Sequence, residues 1–191
     1  MVWILRFDDT RFLKNMSVRE ILIYPDDRLR APTVEVTVFD DALKALVQDM
    51  FDSMYHYDGI GLAAPQIGVS KKVVVIDIAD VDSEGQVLKH NPMVIINPKI
   101  VEKSGSIEYK EGCLSVPEYY DTVTRAERVK VEYQDVDGNP QSIETGDLLA
   151  ICLQHEIDHL DGHIFVDYLS SLKRTRVTKK MAMIKKEREE A

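Results

Sequence analysis

The chain has 191 residues, a net charge of −9, 45% apolar residues and only two cysteines. That length suits one domain with a single sizeable core. The acidic balance argues against general nucleic-acid binding, two cysteines argue for a reducing compartment over a disulfide framework, and no apolar run approaches the ~18 residues of a membrane span.

The first eight residues, Met1 to Asp8, lack a basic stretch leading into an apolar one, so no signal peptide is expected. Asp40 or Asp41 can cap a helix in which Leu43, Leu46, Val47, Met50, Phe51 and Met54 recur at helical spacing. It is expected to end near Asp58-Gly59, with the glycine as the stop. Gly59 to Gln66 is a run of small residues that ends in an amide. Residues 71–79 read as a strand, 80–92 as a polar connection, and 94–101 as a strand interrupted at Asn97-Pro98. Residues 123–136 and 141–144 flank Asp137-Gly138-Asn139-Pro140, a turn that predicts a hairpin. Asp147 opens a helix that Gly162 closes. A last helix follows, with Leu172, Val177, Met181 and Ile184 as part of one apolar face. Strands clustered before a late helix make the fold class α+β.

The late helix carries His155-Glu156-Ile157-Asp158-His159, an H-E-x-x-H sequence. Two histidines four residues apart stand about 40° apart around a helix axis, so both imidazoles can reach one divalent metal. Glu156 sits near the same face, where it can take a proton from an activated water. A catalytic site needs a third protein donor and an open position. Downstream, His163, Asp161 and Asp167 are available, but the spacing does not match the longer metzincin pattern. Upstream, Glu111-Gly112-Cys113-Leu114-Ser115 offers a thiolate, and Cys152 lies one turn before His155. On the same helix Leu148, Ile151 and Cys152 fall within about 60° of His155, so an apolar wall should stand beside the metal. It suits an unbranched, flexible side chain such as methionine, and it can pack the core as well. Gly61 and Gly112 lack side chains, so their backbone can hydrogen-bond an extended peptide like an added strand.

Gly59 to Gln66, Glu111 to Ser115 and Gln154 to His159, in this order, resemble the motifs of the peptide deformylase family, bacterial type 1. The likeness runs from about Ile21 to Leu172 and includes Arg125 to Val129 and Asp167 to Ser170. It implies antiparallel β-sheets surrounding a central metal-binding helix, with a C-terminal helix. It implies Cys113, His155 and His159 as metal ligands, with Cys152 left to line the pocket. It implies Glu156 as general base and then general acid, and the Gln66 side chain and Leu114 N–H as donors to the oxyanion. Ile60 joins the pocket by the same resemblance. The implied reaction removes the formyl group of N-formylmethionyl peptides and releases formate. One divalent ion per chain is expected, Fe²⁺ in the cell, with Zn²⁺ an alternative.

The resemblance also divides the chain. Residues 1–15 are expected to be an added or extended N-terminus, since Met16 to Leu22 reads like the ordinary start of the family. Residues 16–170 form the catalytic domain and 171–191 a basic C-terminal helix. From Ser171 onward eight Lys/Arg against three Glu give +5, leaving −14 for the remainder. A basic tail on an acidic body suits an anionic partner, and the resemblance implies the ribosome. A cytoplasmic monomer is expected, with no membrane and no sequence-specific nucleic-acid partner. Tyr119-Tyr120-Asp121 departs from relatives that place a basic residue near the substrate, so preference beyond methionine stays open. A metallopeptidase and an inactive metal-binding module are the competing readings.

Overall fold

The computed structural model describes residues 17–84 and 86–189; the expected extension 1–15 lies outside them. A short 3₁₀ turn, Asp27–Arg30, precedes α1 (Asp41–His56). Then come β1 (Gly61–Ala63), a 3₁₀ turn at Ala64–Ile67, β2 (Val73–Asp77), β3 (Asp80–Val81), β4 (Val87–Lys89) and β5 (Pro92–Ser104). β6 (Ile107–Cys113), β7 (Val116–Arg125), β8 (Arg128–Gln134) and β9 (Pro140–Gly146) lead into α2 (Asp147–Leu160), and α3 (Ser171–Glu189) closes the chain.

All five residues of β2 are buried, because its sheet is covered on both sides. Val73 and Val75 pack with Leu43, Val47, Met50 and Met54 of α1. Val74 and Ile76 pack with Ala150, Leu153, Ile157 and Leu160 of α2. The sheet is antiparallel throughout, in the order β1-β2-β5-β8-β9. β6 and β7 form a separate two-stranded ribbon. α2 is buried around nearly its whole circumference from Ala150 to Leu160, as a helix enclosed by other elements must be. The α+β reading and the central helix are therefore what the fold shows.

Several local expectations change. The N-cap of α1 is Asp40, whose carboxylate accepts the Leu43 N–H at 3.0 Å. The stop, however, is made by Asp58 at φ 55°. Gly59 serves packing: a Cβ there would lie 2.8 Å from Leu114 Cδ1. The connection at 80–92 contains the β3–β4 ribbon. Asn97-Pro98 does not break β5; it makes a bulge, with Asn97 at φ 50° and a register shift between Ile96 and Lys99. The Asn97 amide both donates to Val36 O and accepts from Val36 N–H, each at 2.8 Å, so a side chain replaces strand pairing there. The segment 123–136, expected as one arm of a hairpin, is two strands in two sheets, β7 and β8, separated at Ala126-Glu127, and only β8 pairs with β9 across the turn. Gln154 of α2 holds that break by bonding both the N–H and the C=O of Ala126.

α3 belongs to the core on one side. Val177 and Met181 are fully buried among Leu22, Val116, Val123 and Phe165, with Ile184 partly buried beside them. Leu172 does not share this face and is 63% exposed.

Candidate metal and catalytic site

Three elements meet at one place. The end of β6 and its tight turn into β7 present Glu111 to Ser115, since Cys113 pairs with Val116 across the turn. β1 and the 3₁₀ turn after it present Gly61 to Gln66. α2 presents His155, Glu156 and His159. The donor atoms of Cys113, His155 and His159 all lie within 4.8 Å of one another. Cys113 Sγ is 3.3 Å from His159 Nε2. A thiolate with two imidazoles at this spacing fits a single divalent metal such as Zn²⁺ or Fe²⁺.

The other candidates for third donor lie outside this group, and Asp161 is exposed beyond the end of α2. Asp167 receives a two-pronged bond from Arg30 at 2.8 Å per contact. His163 is exposed and 3.9 Å from that same carboxylate. Cys152 stands in the wall of the cleft, where burial pushes its thiol pKa well up.

An ion-pair chain behind the site fixes one ligand. His155 Nδ1 lies 2.8 Å from Glu111 Oε2, which leaves Nε2 for a metal. Arg125 grips both oxygens of Glu111, at 2.7 and 3.0 Å, and also bonds Asp158. Tyr168 donates to Asp158 at 2.8 Å, and its ring lies under the Arg125 guanidinium at 4.7 Å. Burial works against the Glu111 carboxylate, but hydrogen bonds from His155 and Arg125 outweigh it and hold its pKa at about 2. Glu111 therefore stays an acceptor and selects the His155 tautomer. His159 lacks such a partner: among the described residues nothing bonds its Nδ1. Burial is the main cause that moves the His159 pKa down, which favours the neutral, metal-binding imidazole.

Glu156 is 4% exposed, and Oε2 has no hydrogen-bond partner among the described residues. Burial is the main cause that raises its pKa to about 7. Gly61 makes room for it, because a Cβ there would meet Glu156 Oε1 at 2.5 Å and Cys152 Sγ at 2.9 Å. Gln66 is 1% exposed. Its oxygen accepts the Ala63 N–H at 2.8 Å, which turns its NH₂ toward Ser115 Oγ at 3.2 Å and Cys113 Sγ at 3.5 Å. The local backbone contact thus aims the amide donor at the sulfur.

A cleft of about 630 Å³ opens over these groups. Ile60, Gly61 and Gln66 line it from the start of β1 and the turn after it, and Gly112, Cys113 and Leu114 from the β6–β7 turn. Leu148, Ile151, Cys152, His155 and Glu156 line it from α2. His159 lies deeper and is fully buried. Gly112 has a reason the sequence does not show: its missing Cβ would lie 2.5 Å from the Tyr120 ring. Reading the sequence by motif missed the roles of Arg125, Asp158 and Tyr168. Their signal was weak, since Arg125 and Tyr168 appeared only as parts of longer resembling segments.

Residues 18–175 match the sequence model of the polypeptide deformylase family. A peptide deformylase of Chromobacterium violaceum is 51% identical over 166 residues, which cover 87% of this chain and 95% of that protein. The crystal structure of a peptide deformylase from Legionella pneumophila superposes with a TM-score of 0.82 at 49% identity, over 91% of this chain and 99% of that one. The Ehrlichia chaffeensis enzyme, solved in complex with actinonin, gives 0.80 at 46% identity over 86% and 96% of the two chains. With the site geometry and these likenesses in agreement, the chain belongs to the polypeptide deformylase family.

Proposed function

We propose that this chain hydrolyses the formyl amide of N-formylmethionyl peptides at the start of new polypeptides, releasing formate and a free α-amine. The observation that carries the reading is one cleft lined by Glu156, Gln66, Cys113 and His155, with His159 completing the donor group beneath it. Those three residues would hold one divalent ion, Fe²⁺ in the cell and exchangeable for Zn²⁺. When bound there, such an ion lowers the pKa of water and polarises a carbonyl oxygen. Glu156 takes the proton of the attacking water as the oxygen bonds to the formyl carbon. It then gives that proton to the nitrogen as the C–N bond breaks. The Gln66 NH₂ and the Leu114 N–H donate to the formyl oxygen as charge develops on it. Ile60, Leu148, Ile151 and Cys152 receive the methionine side chain. The backbone at Gly61 and Gly112 pairs with the extended peptide.

Assay of formyl-Met-Ala-Ser beside an unformylated, internally cleavable peptide tests the reading. Formate release from the first alone is expected. Cleavage of the second without formate from the first would favour a metallopeptidase.

The reading extends to a cytoplasmic monomer working at the ribosome, with α3 as the contact. Support comes from the +5 charge of residues 171–191 on an acidic body, and no helix among the described residues is long and apolar enough to cross a membrane. Deleting α3 is a poor test, because Val177 and Met181 fill the core. Reversing exposed charges is cleaner. We predict that Lys179→Glu with Lys185→Glu weakens co-sedimentation with ribosomes about tenfold and flattens its salt dependence by roughly two counterions. Undiminished binding with an unchanged salt slope would remove α3 as the contact.

A further inference from the structure

Two lysines of α3 reach across to the rim of the cleft. Lys180 Nζ donates to the backbone carbonyl of Glu118 at 2.6 Å, and its ammonium is 3.6 Å from the Glu118 carboxylate. Lys173 Nζ donates to Asp121 Oδ1 at 2.7 Å. The two are seven residues apart, so they stand about 20° apart around the helix axis, two turns from each other. Val177 and Met181 lie between and beside them on the face sunk in the core. The helix therefore cannot roll, and both ammonium groups are presented to the same short stretch of β7.

That stretch needs holding. Glu118 sits at φ 56°, a left-handed conformation that a residue with a side chain adopts only when its surroundings supply the energy. Asp121 also accepts from Tyr119 OH at 2.9 Å. Burial acts against its charge, but the bonds from Lys173 and Tyr119 keep its pKa below the usual carboxylate value. The Tyr119 ring rests on Phe165, 6.4 Å between centroids, and Phe165 faces the His155 ring at 6.1 Å. Tyr120 points the other way, onto Gly112, next to Cys113. Pro117, Glu118, Tyr119 and Tyr120 all line the cleft.

We infer that Lys173 and Lys180 are positioning residues: they hold residues 118–121 in the shape that receives the peptide beyond its first residue, which makes α3 part of the peptide-binding apparatus. They touch neither the metal donors nor Glu156, so their loss should alter peptide affinity and leave the chemical step alone. Two of the eight cations of the tail are thereby committed to the enzyme's own rim.

The kinetic arm of the test rests on the deformylase reading; the exchange arm does not. In Lys173→Met with Lys180→Met, KM for formyl-Met-Ala-Ser should rise three- to tenfold, with kcat within twofold and metal content unchanged. Amide hydrogen exchange in residues 118–122 should speed up at least fivefold, with α2 unaffected. Lys173→Arg alone should keep wild-type KM, because a guanidinium can also bond Asp121. Unchanged exchange in 118–122 in the double variant overturns the inference, whatever the activity. So does a parallel fall in kcat and thermal stability at constant KM. A wild-type protein that releases no formate defeats the functional reading instead, and leaves the exchange result to decide the inference.

Discussion

Glu156→Ala should retain the metal and lose turnover by about 10² to 10⁴, the usual worth of a general acid–base group. The carboxylate is not one of the three clustered donors, so the metal should stay at one per chain. It is the buried group whose Oε2 bonds no described residue, and burial brings its pKa to about 7, near working pH. A base with that pKa can both accept and return a proton. Glu156→Gln keeps the shape between Gly61 and Cys152 but cannot accept the proton, so it should be as slow. The measurements are kcat on formyl-Met-Ala-Ser and metal content by elemental analysis. A kcat near wild type in either variant would remove Glu156 from the mechanism.

Cys113→Ala should lose metal and activity together. Two imidazoles remain, and they do not make a closed three-donor set. The sulfur is also the atom toward which the Gln66 NH₂ and His159 Nε2 converge, at 3.5 and 3.3 Å, so its removal unfastens both. Cys152→Ala is the control: its thiol lies in the cleft wall, outside the donor group, and the metal should remain. Elemental analysis after anaerobic purification checks both variants and identifies the native ion. Stoichiometric metal with ordinary turnover in Cys113→Ala would show that the third donor lies elsewhere.

Much of the site could be read along the chain because its parts are local. The two histidines and Glu156 depend only on helical periodicity, which any five residues of α2 display. The wall of Leu148, Ile151 and Cys152 follows from the same geometry, and all three line the cleft. The burial of Val73 to Ile76 in β2 was signalled by four consecutive apolar residues, since a strand covered on both faces has no polar side.

The identity of the third donor is a different matter. Cys113 lies 42 residues before His155 in the sequence, and spacing alone left Cys152, His163 and two aspartates open. The motif resemblance proposed Cys113, and the fold brings it within reach by turning β6 into β7 above α2. Arg125, Asp158 and Tyr168 became visible only in three dimensions, because long polar side chains choose partners by proximity and not by sequence interval.

The sequence by itself determined the helix with its metal-facing edge, the fold class and the family motifs, since periodicity and residue chemistry survive without tertiary contacts. Only the tertiary structure decided where the run 123–136 divides, why Gly59 and Gly112 must be glycine, and that α3 is half core and half clamp. Those depend on which surfaces meet, and a neighbour 52 or 62 positions away, as for Lys173 with Asp121 and Lys180 with Glu118, leaves no local pattern to read.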